Sequence, residues 1–191
     1  MTISRGRIMS ATKTLLSAIG ENVNRPGLAE TPSRIANGWK TWASGYQFSE
    51  QAIKDLLTTF EDGAEDYDQF IVVKGIPVYS HCEHHLAPFF GTAAIGYIPR
   101  KRIVGLSKLS RLAEVYSRRL QVQERLTQQI ATALETHLQP KAVGVFIECR
   151  HLCMESRGIQ IQGSVTRTQA LKGLAESDPA VKAEFLALVR N

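Results

Sequence analysis

Two short clusters of cysteine and histidine hold the residues that could do chemistry in this chain. The first is His81-Cys82-Glu83-His84-His85, and the second is His151-Leu152-Cys153. Thiolate and imidazole are preferred ligands of zinc, and three protein ligands leave one tetrahedral position open for water. Cys82 and His85 are three residues apart, so a turn of helical curvature places both on one side. The pattern predicts a catalytic zinc site.

Two cysteines are candidates for the third ligand. Cys149 and Cys153 both lie near the second cluster, and residues 149, 151 and 153 share a face if a strand continues that far. The spacing favours Cys153. The alternative to a catalytic site is a closed structural one, in which His81 or His84 becomes a fourth ligand.

Two histidines beside the clusters are candidates for proton transfer. Two thiolates largely neutralise a zinc ion, so a bound water would be acidified less than at an all-histidine site. Such a water would benefit from a nearby base, and imidazole titrates near neutral pH. We therefore expect His84 and His151 to act as acid or base.

A basic helix start between the clusters is a candidate anion site. Gly105 is followed by Ser107, which we expect to cap a helix whose first N–H groups are free to bind an anion. Lys108 and Arg111 add positive charge one turn apart. Arg157 lies in a second turn. An ordinary helix start with a solvated basic face explains the same residues equally well.

The second long helix begins with Gln123 and Glu124. A carboxylate in the first turn complements the helix dipole, which is a sufficient structural explanation. It could also accept hydrogen bonds from an amidine-like edge, such as that of guanine. The residue types alone leave both interpretations open.

Composition excludes several classes of protein. The net charge is +5, from 23 Lys and Arg against 18 Asp and Glu. The basic stretches are short and lack interleaved aromatic residues, which argues against nucleic-acid binding. The longest apolar run, 86–98, is interrupted by proline and glycine and is too short to span a membrane. Three cysteines cannot all pair and no secretory signal is recognisable, so we expect a cytoplasmic protein with reduced thiols.

The elements that position these residues change character along the chain. The first third is typical of helices, with Thr31 and Ser49 as expected N-caps. An acidic stretch at 61–66 divides a helical extension (1–66) from a catalytic domain (67–191). Hydrophobic periodicity in that domain predicts strands and helices. The strands are expected at 70–73, 92–98, 143–147 and 159–168, and the helices at 107–119, 122–138 and from 178 onward.

This order predicts an α+β fold. Two hairpins bracket a helical pair, so an antiparallel sheet should carry two helices on one face. A four-stranded sheet has open edges, and pairing of those edges between subunits in a ring would bury them.

Taken together, these stretches resemble the GTP cyclohydrolase I family. The resemblance covers most of the chain, at 31–34, 79–91, 96–99, 104–111, 118–128, 151–154, 157–158 and 184–190. It implies the tunnelling fold and a toroidal homodecamer with active sites at subunit interfaces. It also implies conversion of GTP and water to 7,8-dihydroneopterin triphosphate and formate. That reaction is the first step of pterin and folate biosynthesis and can also supply deazaguanine pathways.

The resemblance assigns the catalytic residues. It implies one zinc ion per chain, held by Cys82, His85 and Cys153. Water activated by the zinc would attack C8 of guanine. His84 would protonate the purine imidazole ring as it opens, and His151 would act in hydration and formate release.

The resemblance also assigns contacts to GTP. Glu124, with Gln123, would read the guanine edge, and Ser107 would lie near the ribose. Three basic side chains would form the triphosphate cradle: Lys108, Arg111 and Arg157.

Three departures from the family pattern stand beside these matches. His81 replaces a common Met, and Glu155-Ser156 replaces more apolar residues. Residues 163–169 differ from the usual Gly-Ser-Lys-Thr-Val-Thr-Ser, which bears on phosphate or interface contacts.

Two other functions remain as alternatives to a GTP cyclohydrolase. One is a different tunnelling-fold enzyme, such as a nitrile reductase using a cysteine nucleophile and NADPH. The other is a structural zinc protein or scaffold that binds GTP without turnover.

Overall fold

The computed structural model describes residues 3–61 and 67–190. The helices are α1 (Arg5–Ala18), α2 (Thr31–Trp42), α3 (Glu50–Leu56), α4 (Leu106–Ser117), α5 (Gln123–Leu138), α6 (Leu152–Glu155), α7 (Leu174–Ser177) and α8 (Pro179–Arg190). The strands are β1 (Thr59–Phe60), β2 (Ile71–Cys82), β3 (Pro88–Ile98), β4 (Ile103–Val104), β5 (Leu120–Gln121), β6 (Ala142–His151) and β7 (Thr166–Gly173). The boundary expected at residue 66 lies outside the described residues.

The N-terminal helices begin close to the predicted caps. Ser49 caps α3, since its side-chain oxygen accepts a hydrogen bond from the Ala52 N–H at 3.2 Å. In α2 the N-cap is Glu30, and Thr31 is already helical. The Thr31 cap was therefore misplaced by one residue. Proline in the first turn needs no N–H partner, so the helix can begin one residue early.

The sheet has five strands in the order β5-β2-β3-β6-β7. β2, β3, β6 and β7 pair antiparallel, as expected. The short β5 adds a parallel partner at the end of β2, where Cys82 pairs with Gln121. This contact ties the first cysteine cluster to the chain segment that enters α5. The α+β class is confirmed, with a mixed sheet.

The last strand begins later than predicted. Residues 156–165 form a loop, and β7 starts only at Thr166. Gly158, Gln160 and Gly163 have φ angles of 64°, 54° and 70°, which a strand cannot accommodate. The apolar pair Ile159 and Ile161, which suggested a strand, is exposed in this loop.

The helices cover both faces of the sheet. α4 and α5 pack on the face that carries Ile95 and Ile147. α8 packs on the opposite face through Phe185, which is fully buried. Its ring lies directly over Gly144, where an added Cβ would come within 2.6 Å. The two-helix layer was expected, whereas the second covered face is a finding of the structure.

Two strand edges have no partner within the described part of the chain. β7 pairs only with β6, and residues 71–80 of β2 pair only with β3. No helix in the described ranges is long and apolar enough to cross a membrane.

Candidate active site

A tight turn at the end of β2 brings two candidate ligands together. The Cys82 N–H donates to the Ala87 carbonyl oxygen, and the Leu86 N–H donates to the Cys82 carbonyl oxygen, each at 2.8 Å. Leu86 adopts a left-handed φ of 54° to close this turn. As a result Cys82 Sγ lies 3.6 Å from His85 Nδ1.

The second cluster supplies the third ligand from a different element. β6 ends at His151, and the chain then turns into α6, which carries Cys153. The ligand atoms of Cys82, His85 and Cys153 all lie within 4.8 Å of one another. Within the described ranges, this is the one group of three or more such side chains able to hold a metal ion.

Cys149 does not join this group. Residues 149, 151 and 153 would share a face only if the strand continued to Cys153, and it ends at His151. Cys149 faces the core and is 1% exposed. Burial raises the pKa of its thiol to about 12, so Cys149 remains a protonated core thiol at neutral pH.

The Cys82–His85 pair has the separation that a tetrahedral zinc ion requires. Zinc–sulfur and zinc–nitrogen bonds of about 2.3 and 2.05 Å at a tetrahedral angle place the two ligand atoms about 3.6 Å apart. The separation of Cys82 Sγ and His85 Nδ1 matches this value. Burial and the neighbouring Cys82 raise the pKa of Cys153. A divalent cation between the two thiols would favour their thiolate forms.

His84 lies beside this group with its ring accessible. Its Nδ1 is 3.8 Å from Cys82 Sγ, and its side chain is 63% exposed. Its Nε2 is 3.9 Å from the Glu83 carboxylate. Arg125 pairs with that carboxylate and holds the pKa of Glu83 below its ordinary value. The sequence motifs do not indicate this ion pair, because Arg125 lies on α5, far along the chain from Glu83.

His81 serves packing in this structure. Its ring lies 5.1 Å from the rings of both Trp39 and Trp42, and it is 9% exposed. Burial, with a smaller contribution from Arg118, lowers the pKa of His81. His81, which departs from the family pattern, therefore joins α2 to β2. It does not belong to the group of Cys82, His85 and Cys153, which we call the metal group.

His151 is held on two sides. Its ring stacks on Phe89 at 4.6 Å with an interplanar angle of 7°. Its Nε2 lies 2.8 Å from Gln123 Oε1. Burial lowers the pKa of His151, and the nearby Glu124 carboxylate partly opposes this shift. A neutral imidazole beside the metal group can accept a proton.

The basic residues are divided between the two ends of the molecule. Arg157 reaches the metal group, with a guanidinium nitrogen 3.2 Å from His85 Nε2. The start of α4 lies near Tyr97, whose hydroxyl accepts from the Val104 N–H at 2.8 Å. Tyr97 pairs with Ile71, at the opposite end of β2 from Cys82.

Three expected site residues lie outside the metal group of their own chain: Ser107, Lys108 and Arg111. Arg111 is in the middle of α4, beside Pro77 and Tyr79 of β2. Ser107 and Lys108 are in the first turn, and the rise of a helix puts Ser107 about 15 Å from Ser117 at its other end. That other end is the one next to the Ser80–Arg119 hydrogen bond, near the cysteine cluster. Gly105, not Ser107, is the N-cap, and Ser107 is the second helical residue.

An ion pair between the half-exposed Arg150 and the buried Glu155 anchors the loop that follows Cys153. Arg150 donates to both Glu155 oxygens, at 2.9 and 2.5 Å, and Glu155 is 4% exposed. Gln162 donates to the Glu155 carbonyl oxygen at 2.9 Å. The Glu155 that departs from the family pattern thus has a partner, and the pair orients α6 with its cysteine.

We predict that Glu155→Gln makes stability less dependent on pH. Arg150 lowers the pKa of Glu155, so its stabilising contribution is present above the unfolded carboxyl pKa of about 4.3. That contribution is lost as the pH falls through the lower folded value. Urea unfolding should show the variant less stable than the parent at neutral pH and equal to it in acid. Glu176→Gln, at an exposed position of α7, is the control and should change neither the stability at neutral pH nor its dependence on pH. A constant difference at all pH values would contradict the assignment.

Comparison with known proteins gives consistent matches along the chain. The family model for GTP cyclohydrolase I matches residues 8–190. The GTP cyclohydrolase 1 of Janthinobacterium sp. (strain Marseille) is 58% identical over 179 residues, covering 94% of this chain and 89% of that protein. The human GTP cyclohydrolase 1 is 46% identical over 186 residues, covering 96% of this chain and 72% of that protein. The apo structure of the archaeosine synthase QueF-Like aligns with a TM-score of 0.44 and 17% identity over 55% of this chain and 94% of that chain, too low to support an argument.

Proposed function

The chain belongs to the GTP cyclohydrolase I family of enzymes, and we propose that it converts GTP and water to 7,8-dihydroneopterin triphosphate and formate. The observation that carries the proposal is the Cys82, His85 and Cys153 group, which fits one zinc ion per chain. Two further histidines lie within a few residues of it. A hydrolysis that opens an aromatic imidazole ring needs such a set of groups.

The metal and the two histidines would have separate tasks. Zinc held by the three ligands would act as a Lewis acid and make a water molecule nucleophilic near neutral pH. His84, exposed beside Cys82, would donate the proton that the departing ring nitrogen of guanine requires. His151, neutral and partly buried, would accept and return protons during hydration and formate release.

Substrate recognition would use residues on both sides of the metal group. Glu124 would accept hydrogen bonds from the guanine edge, close to His151. Arg157 would bind phosphate. When His85 Nδ1 is a metal ligand, its Nε2 carries a hydrogen and no longer accepts from Arg157. The guanidinium is then available to an anion.

The remaining basic residues would come from a neighbouring subunit. Ser107, Lys108 and Arg111 lie away from the metal group of their own chain, so they would serve a site on another copy. The open edges of β2 and β7 would pair in a ring, which fits the tunnelling fold and a toroidal homodecamer with active sites at subunit interfaces.

We predict that two inactive variants restore activity when they assemble together. Cys82→Ser loses a proposed zinc ligand and so damages the metal side of the shared site. Arg111→Ala loses one of the basic residues that the neighbouring subunit would supply, which form the basic side. In randomly mixed rings, half of the metal sides are intact and half of the neighbouring basic sides are intact, so roughly a quarter of wild-type activity should return. Co-expression with different affinity tags and two-step purification provides the mixed rings.

The control mixes two variants of the same side, Cys82→Ser and Cys153→Ser. This mixture should remain inactive, because no chain has an intact metal side. Absence of activity in the first mixture, with mixed rings verified by mass, would contradict the shared site.

The product would enter pterin and folate synthesis, and the same chemistry would also supply deazaguanine pathways. We place the protein in the cytoplasm, where reduced thiols are the norm. Its three cysteines are unpaired in the structure, which suits thiolate ligands.

The proposed reaction can be tested by following C8 of GTP, which should be released as formate. GTP labelled with ¹³C at C8 should lose its label to formate, detected by ¹³C NMR, as a dihydropterin absorbance rises. A label that stays in the nucleotide would reject this function and leave a scaffold or a different substrate.

A further inference from the structure

The side chain of Gln123 is a buried connection between two strands and a histidine. It is 1% exposed at the start of α5. Its Nε2 lies 3.1 Å from the Ile147 carbonyl oxygen and 3.0 Å from the Thr166 carbonyl oxygen. Carbonyl oxygens can only accept hydrogen bonds. The NH₂ group must therefore face the strands, which settles which end of the amide is oxygen.

The opposite end of the amide determines the state of His151. Oε1 of Gln123 can only accept, and it lies 2.8 Å from His151 Nε2. That nitrogen must donate, so it carries the hydrogen. In a neutral imidazole the other nitrogen, Nδ1, then holds the lone pair.

We propose that Gln123 is a positioning residue that fixes His151 in its Nε2–H tautomer and so makes Nδ1 the atom that accepts a proton. The catalytic consequence rests on the function proposed above, whereas the tautomer itself does not. A glutamine in the first turn of α5, expected to read the guanine edge, instead has its amide hydrogens and its oxygen engaged with protein groups.

A second layer of hydrogen bonds supports this arrangement. Gln123 Nε2 also lies 3.1 Å from Thr168 Oγ1. Thr127 Oγ1 lies 2.6 Å from Thr168 Oγ1 and donates to the Gln123 carbonyl oxygen at 2.7 Å. Phe89 stacks on the His151 ring and limits its tilt. The amide is thus held by two strands and its own helix, and it can impose one orientation on the histidine.

The tautomer is measurable without turnover. The zinc-loaded protein, with ¹⁵N in its histidine rings, would be studied by solid-state NMR at a pH well above the ordinary histidine pKa of about 6.5. Correlation of ring hydrogens and nitrogens distinguishes Nε2–H from Nδ1–H. A His151→Asn variant identifies the His151 signals by difference. We expect Nε2–H alone in the wild type, and an Nδ1–H signal for His151 would overturn the proposal.

A matched pair of variants separates positioning from general packing. Gln123→Leu removes the acceptor, so an Nδ1–H population should appear and kcat should fall roughly 10²-fold, within the range for acid–base groups. KM and zinc content should stay near the wild-type values. Thr127→Val removes hydrogen bonds from the same network but keeps the Gln123–His151 contact, so its tautomer should stay Nε2–H. An unchanged tautomer in Gln123→Leu, or an equal change in Thr127→Val, would overturn the assignment.

The positioning role of Gln123 and the proposed GTP reaction can be rejected independently of each other. A wild-type His151 in the Nε2–H form with no formate from GTP would reject the reaction and keep the positioning role. Formate production by a wild type whose His151 is in the Nδ1–H form would reject the positioning role and keep the reaction. The wild-type spectrum, assigned with His151→Asn, decides the tautomer even if Gln123→Leu does not fold.

Discussion

Cys82→Ser and Cys153→Ser should each lose zinc and formate production together. Each cysteine is one of the three side chains that could hold a metal ion, and a serine hydroxyl is a much weaker ligand because it stays protonated near neutral pH. Without the metal, the pKa of the attacking water returns from the value lowered by zinc towards the bulk value of about 15.7, so we expect turnover to fall by roughly three orders of magnitude or more. Elemental analysis of zinc and an assay of formate on the same samples provide the measurement.

Cys149→Ala is the matched control for these two variants. Its thiol is buried in the core and lies outside the group of Cys82, His85 and Cys153, so we expect it to take no part in binding zinc. This variant should lose some stability through a small cavity and keep zinc and turnover. Zinc retained in Cys153→Ser but lost in Cys149→Ala would contradict the ligand assignment.

His84→Ala should keep zinc and stop ring opening. The His84 side chain is exposed and lies beside Cys82 without belonging to the ligand group. Loss of a general acid usually costs about 10²–10⁴-fold in rate, so formate should fall by that amount in single-turnover experiments. Because the site of the missing ring is open to solvent, added imidazole should restore part of the rate.

His137→Ala is the control for the histidine substitution. His137 lies in the last turn of α5, at the opposite end from Gln123, and its removal should leave the rate unchanged. Wild-type formate release from His84→Ala would reject the role given to His84. Loss of zinc from that variant would instead make His84 a ligand.

The metal group could be predicted from the sequence because its chemistry is local. Cys82 and His85 are in one turn, and few residue types bind zinc well. The choice between Cys149 and Cys153 was not local. It depends on where β6 stops, and the backbone leaves the strand at His151 to form α6. Alternating residues in a sequence do not reveal the last residue of a strand.

The loop at 156–165 shows a second limit. Ile159 and Ile161 alternate with polar residues, a pattern typical of a strand. Left-handed backbone at Gly158, Gln160 and Gly163 prevents it. The residues that hold the loop are Glu155 and its partner Arg150, which lies on β6. Such a contact depends on the tertiary fold, so hydropathy alone cannot show it.

The altered stretch at 163–169 divides between the two faces of β7. Thr168, which the family pattern also has, contacts Gln123 through its hydroxyl, and residue 166 does so through its backbone carbonyl oxygen. Arg167 faces the other way and pairs with Glu148 on β6. The departures at 167 and 169 therefore lie on the face away from the Gln123–His151 network. The sequence alone placed the start of this strand wrongly, so which residues share a face with Gln123 became clear only from the structure.

The buried role of Gln123 could not be read from its residue type. A glutamine followed by a glutamate at a helix start is typical of a solvated first turn. The structure places Gln123 against the carbonyl oxygens of two strands, because β6 and β7 cross beneath the start of α5. Long-range packing of this kind decides which polar residue meets solvent and which orients a neighbour.

The most direct test of the central claim is a zinc titration of the metal-free protein in the presence of GTP. Zinc bound per chain, formate and dihydropterin absorbance would be followed on the same sample. Turnover should rise in proportion to bound zinc and stop rising at about one zinc per chain, as a site of three protein ligands requires. Full turnover without metal, or one zinc per chain with no formate, would contradict the account.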